Sequence, residues 1–75
     1  MDIDDATVTQ NVIDELAAED NLEESTIAVA AKGGVVHLSG TVTTEADRRD
    51  AHNAAARAAG VVRVVDDLRV RTLAI

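Results

Sequence analysis

Residues 26–42 read TIAVAAKGGVVHLSGTV, and this stretch decides the fold. Two runs of apolar alternation flank Lys32-Gly33-Gly34: Ile27, Val29 and Ala31 are in phase before it, and Val36, Leu38, Gly40 and Val42 after it. Successive strand side chains point to opposite faces, so period-two alternation on either side of a glycine pair predicts a β-hairpin with one buried face. Ala28, Ala30, Val35, His37, Ser39 and Thr41 form the outward set. Gly40 falls in the inward series, where glycine marks the close approach of another backbone, expected here to be a helix.

Upstream of the hairpin, Val8, Val12 and Leu16 recur at i, i+4 and i+8 with Ile13 and Ala17 beside them. This is one apolar stripe on a helix that runs to about Ala18. Asp4 or Asp5 supplies its N-cap, accepting from the unpaired amides of the first turn. Gln10, Asn11, Asp14, Glu15 and Glu19 read as its wet side. Asp20 to Ser25 is a polar connection, with Leu22 as a plug over the end of the core.

Downstream, Thr43 to Asp47 opens a second helix, capped by Thr44, with Asp47 where a capping box usually has Glu or Gln. Ala51, Ala54, Ala55 and Ala58 lie at i, i+3, i+4 and i+7, so the buried stripe is alanine and the helix can lie close to the sheet. Gly60 is expected at C′, the residue that ends a helix in the left-handed conformation. Val61 to Arg71 (VVRVVDDLRVR) then alternates again. Val62, Val64, Leu68 and Val70 share one parity; Arg63, Val65, Asp67, Arg69 and Arg71 share the other. Asp66 breaks the apolar parity and reads as a bulge or a position near the sheet margin. Thr72 to Ile75 is a short tail whose Leu73 and Ile75 either pack or await a partner.

The element order predicts an α+β fold, α-β-β-α-β. A right-handed crossover sets strand 3 parallel to strand 2. The result is a small three-stranded mixed sheet of order 1-2-3 with two helices packed on one face. The opposite face is open, carrying His37, Ser39, Thr41 and the arginines of strand 3.

At 75 residues the chain forms a single domain, 1–75, with its core at about 7–70. A core this small supplies only about 3–5 kcal/mol, so help from self-association is expected. The chain has no cysteine, aromatic residue or proline, which removes disulfides and thiolate metal sites. Its net charge of −7 is uneven: residues 1–31 hold nine acids and no base, residues 32–75 five acids and seven bases. That balance argues against nucleic-acid binding, which rests on phosphate neutralisation and, for single strands, aromatic stacking. No run approaches the ~18 apolar residues of a membrane span, so no transmembrane segment is expected. The start, Met1-Asp2-Ile3-Asp4-Asp5, is acidic where a secretory signal is basic and then apolar. The expectation is a cytoplasmic protein if Met1 is the native start, or a module of a longer chain.

No reaction centre is legible. His37 and Ser39 share the open face, with Asp67 across from them, but a hydrolase also needs hydrogen-bond contact, an oxyanion hole and a pocket. Strand neighbours at i, i+2 stand ~6.5–7 Å apart on a flat surface, so these read as solvent-facing polar positions. His52, among Arg49, Asp50 and Asn53, reads as a surface histidine without a ligand set. Glu23-Glu24 and Asp66-Asp67 lack calcium-loop spacing, and Gly33-Gly34 lacks the helix and lysine of a phosphate loop. No catalytic residue, metal or cofactor is expected. Arg63, Arg69 and Arg71 form the only basic stripe, on alternate outward positions of a possible edge strand. They read either as charges that blunt edge pairing or as a docking face for lipid phosphates or for the acidic first helix of a second copy. An open edge beside them allows strand addition by a partner. With His37 they are the candidate binding residues.

Taken together, an amphipathic helix before Ile27 and Val29, then Gly34, Val36, Leu38, Gly40 and Val42 as G-x-V-x-L-x-G-x-V, form the first half of a known pattern. An Ala-rich helix with Ala51 and Ala55, followed by Gly60, Val61, Val64, Asp66, Leu68 and Val70 as G-V-x-x-V-x-[ND]-x-L-x-V, forms the second. From about Thr7 to Val70 the chain resembles the BON domain, named for bacterial osmotically inducible and nodulation-related proteins. Gly34, Gly40, Gly60 and Asp66 are its structural motif positions, and Asp66 stands where the family more often has Asn. The resemblance implies a non-enzymatic module, periplasmic or attached to channels, secretins, CBS domains or LysM domains. The family's proposed roles are phospholipid or envelope binding, osmotic-stress protection and, in one branch, potassium sensing. The leading expectation is therefore a binding module of the bacterial cell envelope, with a phospholipid or an envelope protein as partner. The alternative is a regulatory or self-association module that pairs protomers or senses a small ion, without membrane contact. The acidic first helix and the absence of aromatics are poor equipment for an anionic bilayer surface.

Overall fold

A computed structural model describes residues 4–22 and 26–71; the Glu23-Glu24 pair and the tail residues Leu73 and Ile75 lie outside them. The elements are α1 (Asp5–Ala17), a 3-10 turn (Asp20–Leu22), β1 (Thr26–Lys32), β2 (Val35–Val42), α2 (Glu45–Arg57) and β3 (Arg63–Val70). The sheet has the order β1-β2-β3, with β1 antiparallel and β3 parallel to β2. This is the α-β-β-α-β arrangement the alternation predicts.

Gly33 and Gly34 turn the hairpin with φ of +58° and +82°, the two positive values of a type I′ turn whose twist matches the strands. The register pairs Ile27 with Gly40, Val29 with Leu38 and Ala31 with Val36, which puts the inward sets of both strands side by side. Gly40, at φ +121°, is needed for a reason other than the expected helix contact. A Cβ there would collide with the carbonyl oxygen of Thr26 on β1, so the close neighbour is the adjacent strand.

Both helices cover the same face. Val8 and Val12 of α1, Ala51 and Ala55 of α2, and Val36, Leu38, Val42 and Leu68 of the sheet form the core, closed by Leu22 and Ala58. Asp4 caps α1: its Oδ1 accepts from the Thr7 amide at 2.8 Å, and this bond holds the Asp4 carboxyl below its ordinary pKa. Thr44 caps α2 through its hydroxyl, which accepts from the Asp47 amide at 3.0 Å. The Asp47 carboxylate turns to the 3-10 turn instead of completing a capping box. Asn21 Nδ2 donates to it at 2.7 Å and to Asp50 at 2.9 Å, which pins the turn to α2.

Other sequence expectations need correction. Asn11, Glu15 and Glu19 do not simply face water: Asn11 donates to the Ala59 carbonyl at 3.1 Å, and Arg57 meets Glu19 at 2.8 Å and Glu15 at 3.8 Å. Periodicity locates the apolar stripe but not the polar flank that meets a neighbouring helix. Conversely, Ile13, placed beside the stripe, is 43% exposed, and Ala17 is exposed. Gly60 is not C′, because α2 stops at Arg57 and Ala58 leaves the helix as its C-cap. Gly60 lies two residues beyond, in the turn that delivers β3 to the hairpin: the Gly34 carbonyl accepts from Val62 at 2.7 Å and Arg63 at 3.3 Å. Val62, assigned inward, precedes β3 and is 81% exposed. Asp66 is not at a bulge, but it does lie at the sheet margin, on the edge strand β3. The β2–β3 ladder runs unbroken from Val35–Arg63 to Val42–Val70, and Asp66 stands mid-strand opposite Leu38.

Candidate binding face

Alternation along three strands builds the uncovered face of the sheet row by row. Lys32, Val35 and Arg63 lie across one end; Ala30, His37 and Val65 come next; then Ala28, Ser39 and Asp67; then Thr26, Thr41 and Arg69. Arg71 extends the ladder, its amide donating to the Val42 carbonyl at 2.7 Å. Small residues on β1 keep the face low, and Ala28, Ala30, His37, Ser39, Asp67 and Arg69 are exposed.

The proposed arginine stripe is therefore two basic ends. Arg63 stands with Lys32, while Arg69 and Arg71 stand about 20 Å away along β3, with His37, Ser39 and Asp67 between them. Lys32 was missed because it reads as a turn residue. Its parity with Ala28 and Ala30, already visible in the sequence, places it on this face.

Charge is sorted between the two layers. Among the described residues no acid lies within ion-pair distance of Lys32, Arg63, Arg69 or Arg71. In α2, by contrast, Arg48 reaches Glu45 at 3.5 Å and Asp66 at 3.7 Å, and Arg57 is held by Glu19 and Glu15. The Glu19 hydrogen bond raises the Arg57 pKa, with the charges of Glu19, Glu15 and Asp50 adding to it. The acids of α1 and the 3-10 turn, Asp5, Asp14, Glu15, Glu19 and Asp20, all belong to the helical layer.

Asp66 faces α2 with its side chain 17% exposed, Oδ2 lying 3.7 Å from Arg48 Nε and 3.9 Å from His52 Nδ1. Its Oδ1 accepts from the Leu68 amide at 3.0 Å. The Arg48 and Leu68 contacts both need an acceptor, so aspartate meets them without an amide donor.

Ser39 and Asp67 are direct neighbours across the β2–β3 ladder, with His37 one row away. Two concavities of the described residues lie elsewhere. One, of about 400 Å³, is lined by Asn11, Asp14, Glu15, Ala18, Ala58 and Ala59. The other, of about 230 Å³, is lined by Ile13, Leu16, Ala17, Leu22, Ile27 and Val29. Among the described residues no three His, Asp or Glu side chains are grouped to hold a metal, and no helix is long and apolar enough to cross a membrane.

Comparison with known proteins gives one family. The family model described as "BON domain" matches residues 4–72, nearly the whole chain. No curated protein matches it.

Proposed function

The chain belongs to the BON domain family, and from that premise we propose that it is a non-enzymatic binding module of the bacterial cell envelope. It docks anionic phospholipid headgroups through the open face of its sheet, in the service of osmotic or envelope stress. One observation carries this reading: four bases, Lys32, Arg63, Arg69 and Arg71, share that face and no acid among the described residues pairs with them. A guanidinium offers a planar fork of donors to a phosphate, and bases at both ends of the face, Arg63 with Lys32 and Arg69 with Arg71, set a span rather than a point contact.

The absence of aromatic residues makes the contact electrostatic, shallow and reversible. At ~1 kcal/mol for each base near the surface, four bases support a dissociation constant on the order of millimolar. Catalysis is disfavoured because Ser39, His37 and Asp67 stand exposed on the uncovered face of the sheet.

The test is co-sedimentation with vesicles of phosphatidylglycerol or phosphatidylcholine at physiological ionic strength. Binding is expected to the anionic vesicles alone, to fall away at high salt, and to be lost in Arg69→Glu/Arg71→Glu with the fold retained. Equal binding to both lipids, or an unaffected double variant, would sink the reading.

A further inference from the structure

The two edges of the sheet are treated differently. β3 is guarded: Arg63, Arg69 and Arg71 line it, and Asp66 Oδ1 takes up the Leu68 amide. Among the described residues β1 has no such protection. Thr26–Lys32 reads TIAVAAK, seven residues with no proline and a single charge at one end. Long, uncharged edges pair with other strands unless something blocks them.

The pairing pattern shows which groups are open. In a two-residue hairpin the residues flanking the turn, Lys32 and Val35, exchange hydrogen bonds, and bonded and non-bonded pairs alternate from there. The amides and carbonyls of Ile27, Val29 and Ala31 therefore point away from β2, and no backbone partner meets them among the described residues.

Beside this edge runs the apolar groove of Ile13, Leu16, Ala17, Leu22, Ile27 and Val29. In a chain of charge −7 none of the residues that line it is charged, and the acids of α1 and its flanks have partners of their own. Asp4 caps the helix, Asp5 accepts from the Gly33 amide at 3.0 Å, Asp14 accepts from Gln10 at 2.9 Å, and Glu15 and Glu19 hold Arg57.

We infer that the β1 edge is a self-association seam, occupied by the β1 of a second copy running antiparallel about a two-fold axis at Val29. The strand is self-complementary about that residue. Val29 pairs with Val29 of the second copy and Ile27 with Ala31, so all three open positions are used in both directions. Antiparallel pairing also sets the two Lys32 side chains at opposite ends of the seam, about 20 Å apart, where parallel pairing would place them together. Each Lys32 then stands across from the uncharged Thr26 of the second copy, on the open face of the sheet. On the helical side the two grooves meet and Ile13 is covered. On the other side the two open faces join into one six-stranded surface. The seam does not depend on lipid binding, and its test contains no lipid.

Because the chain has no cysteine, disulfide trapping reads the register without background. In this pairing Ala28 stands opposite Ala30 of the second copy as a non-bonded pair, Cα atoms ~4.5 Å apart and within disulfide range. Mixing Ala28→Cys chains with Ala30→Cys chains under air oxidation should give the mixed dimer about tenfold over either self-pair. Sedimentation equilibrium of the unmodified chain should show a dimer that strengthens with concentration. Ile13→Glu, a change at a half-exposed site, should abolish the dimer while circular dichroism stays unchanged. A chain that is monomeric at every concentration to about 1 mM, statistical cross-linking, or a dimer indifferent to Ile13→Glu would each overturn the inference.

Discussion

Gly40 shows how a single position constrains the hairpin. Its φ of +121° and its contact with the Thr26 carbonyl leave no room for a side chain. Gly40→Ala is expected to cost about 3 kcal/mol or more, read as a lower urea midpoint, because backbone strain and a clash with a paired strand add. Asp66 supplies a graded counterpart. Asp66→Asn keeps an acceptor for the Leu68 amide and should change stability by less than about 1 kcal/mol, while Asp66→Ala strips that amide and should cost about 1–2 kcal/mol. Asp4 gives a pH signature. Its folded pKa is depressed by the Thr7 hydrogen bond, so its stabilisation is fully present above the unfolded value near ~3.9 and is lost as pH falls through the folded one. Melting temperature should fall with acid through that window, and the Asp4→Asn variant should lack this part of the slope. The sequence showed that Gly40 and Asp66 were out of pattern but not why. The Thr26 oxygen, Arg48 and His52 reach them only through the sheet register and the placement of α2, which no local period encodes.

Among the elements, the strands were legible to within two residues, because alternation marks both their faces and their limits. Helix ends were less so: Gly60 is a strong stop signal, yet α2 ends at Arg57, where the chain must leave to carry Val61 and Val62 back to Gly34. α2 itself depends on small side chains, with Ala51 and Ala55 fully buried. Ala55→Leu should therefore destabilise by roughly 1–3 kcal/mol through overpacking, measurable by thermal melting. The two sheet edges should also differ in hydrogen exchange. The Leu68 amide, held by Asp66, is expected to exchange more slowly than those of Ile27, Val29 and Ala31 under conditions that keep the chain monomeric. In the Asp66→Ala variant that protection should vanish. The same edges show why the candidate face was only half visible. Parity placed His37 and the three arginines on it, but Lys32 had to be carried through the turn, and the split into two basic ends emerged only from the β2–β3 register.

For the whole molecule, the organising fact is the separation of charge between an acidic helical layer and a basic sheet face. Composition alone gave a net charge and an uneven distribution along the chain, and only the layered fold converts that into two oppositely charged sides. Depth now matters as much as sign. The helices stand roughly 10 Å behind the sheet, whereas ions damp electric fields over ~8 Å at physiological salt and over ~30 Å at 0.01 M. A lipid surface touched by the arginines is thus shielded from the acids behind them in ordinary salt but feels the entire negative molecule in dilute buffer. Adsorption to anionic vesicles should therefore rise, peak and fall as ionic strength increases, a profile that a uniformly charged protein would not show.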